Sequence, residues 1–281
     1  MPIIEMRNVA YRYPGSNRIA IRDINLKIEA GEYVVITGPS GCGKTTLCRC
    51  FNGLIPHFYG GDLEGEIYVV GLSVKDTPTS TLAQHVGMVF QDPESQLFLL
   101  TVEREIAFGP ENLGLPREEI AARVEEALEL IGIQHLRDRS PHELSGGEQQ
   151  KVAIAACIAM KPKILVLDEP TANLDPRSAW DILHVLSDLR RKLDVTIVLV
   201  EHRLDMVVNH ADRFIVMNEG RIILDGLPCE VLLNPMVANI GVGVPKVIRL
   251  YDELRKYNVN LNFVPLSSAD FKRAVLEVLS R

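Results

Sequence analysis

Residues Gly38-Pro39-Ser40-Gly41-Cys42-Gly43-Lys44-Thr45 fit the spacing G-x-x-x-x-G-K-S/T. A loop of this pattern wraps phosphate groups with successive backbone N–H donors. Its glycines let the backbone curl around an anion without Cβ clashes. Lys44 offers a point charge to the β- and γ-phosphates, and Thr45 offers a hydroxyl to Mg²⁺. A second group follows the apolar run Ile164-Leu165-Val166-Leu167 and consists of Asp168 and Glu169. Asp168 suits a Mg²⁺ partner opposite Thr45, and Glu169 suits a general base that polarises an attacking water. A third group is Leu144-Ser145-Gly146-Gly147-Glu148-Gln149-Gln150. Its Ser145-Gly146-Gly147 stands just before a helical pattern, so a hydroxyl and free amides are expected to face outward at the positive end of a helix dipole. A chain that binds one nucleotide through its phosphate loop has no need of a second anion site of its own. A head-to-tail pair of chains resolves this, each donating its Ser-Gly-Gly to the γ-phosphate held by the other.

These groups need particular elements to position them. Tyr33-Val34-Val35-Ile36 reads as a short buried strand entering the phosphate loop, and Thr46 to Phe51 reads as the helix leaving it. The runs Ile164 to Leu167 and Thr196 to Val200 are continuously apolar, which predicts central parallel strands covered on both faces. Ser178 to Leu193 reads as the crossover helix between them. A strand ending in Asp168 then delivers its carboxylate to the carboxyl edge of the sheet, where ligands of open α/β folds bind. Antiparallel strands are expected over Ile3 to Ile28 and Glu64 to Val70, and a helical stretch over about 93–160. Within that stretch the apolar positions Ile120, Val124, Ala127, Leu128 and Ile131 define one helix face. Arg213 to Met217 and Arg221 to Leu224 form a last strand pair. Two further helices are expected beyond them, over Pro245 to Tyr257 and from Ser267/Ser268 onward, the latter opened by Asp270 at capping spacing from Ser267.

Length and composition set limits on function. The chain has 281 residues with a formal net charge of -7, which argues against a generally basic nucleic-acid binder. Its apolar runs are of strand length and none approaches a membrane span. The start, Met1-Pro2-Ile3-Ile4-Glu5, lacks a basic stretch followed by an apolar one, so no secretory leader is expected. Five cysteines without paired C-x-x-C spacing predict small buried hydrophobes rather than a disulfide framework or zinc site.

Taken together, these motifs resemble the ATP-binding-cassette ATPases over residues 3 to about 226. The resemblance implies an α/β P-loop NTPase: a RecA-like core with a parallel sheet, an antiparallel β subdomain, a helical subdomain and a small helical C-terminal extension. The implied division is 1–227 for the nucleotide-binding unit and 228–281 for an accessory dimerisation unit. Leu144 to Gln149 looks like the family signature LSGGQ, with Glu148 where Gln is commoner; a small effect through helix position is expected. Gln91 looks like the glutamine that contacts Mg²⁺ and water, His202 like the switch histidine at the γ-phosphate, and Asp175 in Asn173-Leu174-Asp175 like the loop that crosses the dimer seam. Tyr13 falls where the family stacks an aromatic ring on adenine. The implied catalytic residues are Glu169, His202, Gln91 and Lys44. The implied metal contacts are Thr45, Gln91 and Asp168. The implied ATP contacts are Tyr13, residues Gly38 to Thr46 including Pro39, Ser40, Gly41, Cys42, Gly43 and Thr46, and the partner-facing Ser145, Gly146, Gly147 and Asp175.

A finer resemblance lies in Val89 to Phe98 and Thr101 to Leu115, which look like the ATPase subunits of energy-coupling-factor importers of vitamins, cobalt or nickel. It implies a second ATPase subunit, a transmembrane scaffold subunit docked near Gln91 to Phe98, a substrate-binding membrane subunit, no nucleic acid, and a place on the cytoplasmic face of the membrane. The competing reading is a soluble cassette ATPase that acts on nucleic acid or the translation machinery.

Overall fold

In the computed structural model, which describes residues 2–279, two sheets share the chain. The first is antiparallel, in the order β2-β1-β4-β5, from β1 (Ile4–Arg12), β2 (Ile21–Ile28), β4 (Asp62–Val69) and β5 (Leu72–Ser73). The second contains β3 (Tyr33–Thr37), β6 (Val86–Val89), β7 (Ile164–Asp168), β8 (Thr196–Val200), β9 (Arg213–Asn218) and β10 (Arg221–Gly226). Its order is β10-β9-β3-β8-β7-β6. All neighbours in it run parallel except the hairpin β9–β10.

Side-chain alternation explains why the central strands read as unbroken apolar runs. Val34 and Ile36 on β3, Ile164 and Val166 on β7, and Val198 and Val200 on β8 enter a core shared with the antiparallel sheet and helix α1 (Lys44–Phe51). Tyr33 and Val35, Leu165 and Leu167, and Ile197 and Leu199 enter the opposite core. That core is covered by α4 (Val102–Asn112), α5 (Arg117–Ile131), α6 (Gly146–Ala159) and α7 (Pro176–Leu193). The short turns α2 (Leu54–His57), α3 (Thr79–Leu82) and α8 (Leu204–Val207) link the larger pieces.

The parallel register positions the site. Val89 lies opposite Leu167, Asp168 opposite Val200, and Val200 opposite Ile36. The segments carrying Gln91, Glu169, His202 and Gly38 therefore leave the sheet side by side at one edge.

Three expectations are adjusted. Residues 93–100 form a loop, and the helical stretch begins at Val102, capped by Thr101, whose hydroxyl accepts from the Arg104 N–H. The helix at Ser145 starts at Gly146, so both signature glycines lie in its first turn. Beyond residue 227, α9 (Pro228–Leu232) and α10 (Pro235–Asn239) precede the expected α11 (Lys246–Lys256) and α12 (Ser268–Leu279). Pro at the first helical position opens both α9 and α10. Val231, Leu232, Val237 and Ile248 join the core that covers the parallel sheet, so that core runs across residue 228. The expected cap at the last helix is present: Asp270 N–H donates to Ser267 Oγ at 3.0 Å, and that hydroxyl donates to Asp270 Oδ2 at 2.8 Å. All five cysteines are free, with Cys42, Cys48 and Cys50 buried. Among the described residues no helix is long and apolar enough to cross a membrane.

Candidate nucleotide site

The loop after β3 turns back on itself before entering α1. Gly38 has φ +147, and a Cβ there would lie 2.1 Å from the Met217 carbonyl oxygen, so only glycine fits. Lys44 is almost fully buried, and its ammonium donates to the carbonyls of Gly38 at 2.9 Å and Pro39 at 3.0 Å. The cation is thereby held inside the curl of the loop. Burial pushes the Cys42 thiol up, against the opposing pull of Lys44.

A cavity of about 470 Å³ opens over this loop. Ser40, Gly41, Gly43, Lys44, Thr45 and Thr46 form its floor, Tyr13 one wall, and Gln91 with Glu169 the other. Ser16 and Arg18 also line it, with Arg18 Nη2 donating weakly to the Gly41 carbonyl at 3.5 Å. Sequence spacing offers no signal for these two, since they sit in the irregular connection between β1 and β2.

Three predicted residues from distant parts of the chain meet at the sheet edge. Glu169 Oε1 lies 2.9 Å from His202 Nε2, and Glu169 Oε2 accepts from Gln91 Nε2 at 3.3 Å. Glu169 has φ +52, the left-handed region that a non-glycine residue rarely occupies and that clusters at functional sites. Its N–H donates to the Val200 carbonyl at 3.1 Å, which holds the turn against β8. A carboxylate fixed between an amide and an imidazole can accept a proton from water while its neighbours keep it aimed.

Asp168 ends β7 with its carboxylate largely enclosed. Burial, with the neighbouring charge of Glu169, raises its pKa, against a smaller downward pull from Thr45 hydrogen bonding and the charges of Arg49 and Lys44. Its Oδ1 is buried and has no partner within the protein. An orphaned carboxylate oxygen beside a hydroxyl is a hard-oxygen donor pair, which fits Mg²⁺. Among the described residues no cluster of three or more His, Cys, Asp or Glu could hold a metal. A cation here would therefore complete its shell with phosphate oxygens and water.

The third sequence group lies elsewhere. Ser145, Gly146, Gly147 and Asp175 do not line the cavity of their own chain. The two glycines instead pack against Leu174 and Ser178, on either side of Asp175. A Cβ on Gly147 would sit 2.9 Å from Ser178 Cβ, and one on Gly146 would sit 3.5 Å from Leu174. Asp175 caps α7, accepting from the N–H groups of Arg177 at 2.9 Å and Ser178 at 3.1 Å. Hydrogen bonding from Ser178 holds its carboxyl below the ordinary value. Ser145 differs from expectation. Its hydroxyl is not free but donates to Glu148 Oε2 at 2.7 Å, and its N–H donates to the same oxygen at 2.8 Å. Glu148 thus touches the signature serine directly.

Two residues that sequence reading missed hold the His202 loop. The buried carboxylate of Glu201 accepts from His202 N–H at 2.7 Å, from Arg203 N–H at 2.9 Å and from the Thr171 hydroxyl. Arg203 Nη1 and Nη2 each donate to the Leu174 carbonyl at 3.1 Å, tying the His202 loop to the turn before Asp175.

Comparison with known proteins agrees with this architecture. The family model described as ABC transporter matches residues 21–172. An ABC transporter ATP-binding protein of Methanosarcina mazei is 46% identical over 250 residues, and the chain covers only 42% of that relative's length. One from Pyrococcus abyssi is 44% identical across 92% of this chain and 93% of its own length. The energy-coupling factor transporter ATP-binding protein EcfA1 of Clostridium novyi is 39% identical over 92% of each chain. Among solved structures, CbiO1 of Clostridium perfringens, part of the transporter complex CbiONQ, superposes with a TM-score of 0.76 at 36% identity, covering 89% of this chain and 99% of its own. The cassette MJ0796, a dimer bound to ADP and Pi, superposes with a TM-score of 0.70 at 28% identity, covering 80% and 98%. With the phosphate loop, the acidic strand end and the signature helix in one α/β frame, the chain belongs to the ABC transporter ATPase family and is an ATP-binding, ATP-hydrolysing protein.

Proposed function

We propose that this protein is the ATP-hydrolysing subunit of an energy-coupling-factor-type importer, powering uptake of a vitamin or of a transition-metal ion such as cobalt or nickel. It would work on the cytoplasmic face of the membrane, paired with a second ATPase subunit and docked to a transmembrane scaffold and a substrate-binding membrane subunit. The likenesses to EcfA1 and CbiO1 support this reading. The observation that carries it is an apolar groove of about 470 Å³ beside the Gln91 loop. Leu97, Phe98, Phe108 and Met160 are among its lining residues. Phe98 is 61% exposed, with its ring 5.1 Å from that of Phe108. The buried Glu105 carboxylate accepts from the backbone N–H groups of Phe98 and Leu99, which fixes this rim in place. A coupling helix from the scaffold subunit would fill the groove. Residues 1–227 would form the nucleotide-binding unit and 228–281 an accessory unit that assists pairing.

In the working cycle ATP lies between the phosphate loop of one chain and Ser145-Gly146-Gly147 of the other. Lys44 leaves the loop carbonyls and turns to the β- and γ-phosphates. Thr45 and Asp168, with Gln91, would hold Mg²⁺, which when bound neutralises charge on the phosphate oxygens. Glu169 polarises a water in line with the γ-phosphate, and His202 and Gln91 keep that carboxylate aimed. Ser145 exchanges its bond to Glu148 for one to the partner's nucleotide. Closure draws the helices of 102–159 toward the core, and the groove transmits that motion.

Co-purification from detergent-solubilised membranes tests the partner. Phe98→Glu should release the membrane subunits while ATP hydrolysis by the free ATPase persists. Membrane subunits that still co-purify would refute the groove as the docking site.

A further inference from the structure

Tyr13 stands just beyond the end of β1, lines the cavity and packs, half-buried, against the margin of the core shared with α1. Its ring meets two other rings edge-on, Tyr11 at 4.8 Å and 79° and Tyr59 at 6.0 Å and 88°. Its hydroxyl is the anchored end. Arg49 Nη1 donates to it at 3.0 Å, and Thr46 Oγ1 lies 3.1 Å away. Thr46 and Arg49 are three residues apart on α1, so they share one face of the helix that leaves the phosphate loop.

Arg49 is unusual for a half-buried cation. Its hydrogen bond and its ring contact are both to tyrosines, Tyr13 and Tyr59, the latter with the guanidinium 4.4 Å from the ring centre, while the Asp168 carboxylate feels its charge without an ion-pair contact. Its Nε is buried without a partner. A guanidinium is planar and stacks on rings while its edge donates, which a flexible ammonium does less well. Tyr59 is itself tethered through its neighbour, since the Tyr11 hydroxyl donates to the Gly60 carbonyl at 2.8 Å. Arg49 thus joins three pieces far apart in sequence: the end of β1, the phosphate-loop helix and the connection into β4.

We propose that Arg49 is a positioning residue for nucleotide-base recognition: it fixes Tyr13 relative to the phosphate loop and so sets affinity for the base rather than for the phosphates. The inference rests on Tyr13 stacking against the purine. A ring that must be ordered at the moment of binding costs affinity, and one already held costs less. Arg49 acts on the base only through Tyr13, so an ordinary net hydrogen bond, below the full worth of a charged one, sets the scale at about 3–10-fold in Kd.

The test is calorimetric titration of the full-length protein with Mg-ATP and with Mg-tripolyphosphate, which has the phosphates and no base. Tyr13→Ala should weaken ATP and spare tripolyphosphate; unchanged ATP affinity would overturn both the stacking role and the inference. With that role standing, Arg49→Met should weaken ATP about 3–10-fold and leave tripolyphosphate unchanged. Arg49→Lys should recover part of the loss. Tyr13→Phe removes the same hydrogen bond from the other side and should match Arg49→Met, and the double variant should be no worse than either. Equal loss for both ligands would overturn the proposal, because Arg49 would then act on the phosphate side through its charge. Undiminished ATP binding in Tyr13→Phe would overturn it even if Arg49→Met fails to fold.

Discussion

In the proposed cycle, replacing Glu169 by Gln removes the general base and little else. The side chain is 21% exposed, so the change buries no new polar group. Glutamine keeps an oxygen that can accept from Gln91 or from His202, which now stand 3.3 Å and 2.9 Å from the carboxylate. The left-handed backbone at this position suits Gln as poorly as Glu, so folding stability should change by no more than about 0.5 kcal/mol. The loss falls on the chemical step. A positioned base contributes roughly 10²–10⁴-fold, or about 2.7–5.4 kcal/mol of barrier. Single-turnover phosphate release should therefore fall by at least two orders of magnitude, with ATP affinity kept within about twofold and the thermal midpoint unmoved. Hydrolysis at the normal rate would remove Glu169 from the base role. A fall matched by equal loss of ATP binding would mean that the carboxylate orders the site rather than activating water.

Other expectations follow from particular contacts. Leu97 is 4% exposed inside the core, so Leu97→Glu should cost about 3 kcal/mol or more in urea titration, unlike the exposed Phe98. Glu201→Gln should lower kcat with little change in KM, because the buried carboxylate that accepts from His202 and Arg203 N–H holds the histidine loop; an unchanged kcat would separate that loop from catalysis. The Ser145 hydroxyl and N–H hold Glu148 below its ordinary value of 4.5. Its stabilising contribution is therefore complete above that value and is lost as pH falls through the lowered folded-state pKa. Urea midpoints should accordingly drop more steeply below pH 4.5 in the parent than in Glu148→Gln, and parallel curves would contradict the contact.

The parts of this site legible in the sequence are those where chemistry and local structure coincide. The phosphate loop sits between a strand and a helix whose residues announce themselves within a few positions. Asp168 and Glu169 follow an apolar run that can only be a covered strand, and His202 follows another. Register between such strands then brings Gln91, Glu169 and His202 together. What escaped notice depends on contacts between segments far apart. Arg49 reads as an ordinary helix charge until its neighbours across 36 residues are seen. Glu201 reads as a strand-end acid until its three donors appear. Glu148 reads in the sequence as an acid of small effect through its helix position, yet it touches the signature hydroxyl. The short helices α9 and α10 carry too few turns to show a period, and the 93–100 loop borrows its apolar residues for a groove rather than a helix face.

In the proposed cycle no single chain completes its own nucleotide pocket, because Ser145 to Gly147 lie outside the cavity that Lys44 lines. Sedimentation velocity of the Glu169→Gln protein at saturating Mg-ATP decides whether two chains share the site. A dimer should form, revert to monomer without nucleotide and be abolished when Ser145→Arg is added. A species that stays monomeric at saturating nucleotide, alone and beside its membrane subunits, or a dimer indifferent to Ser145→Arg, would contradict it.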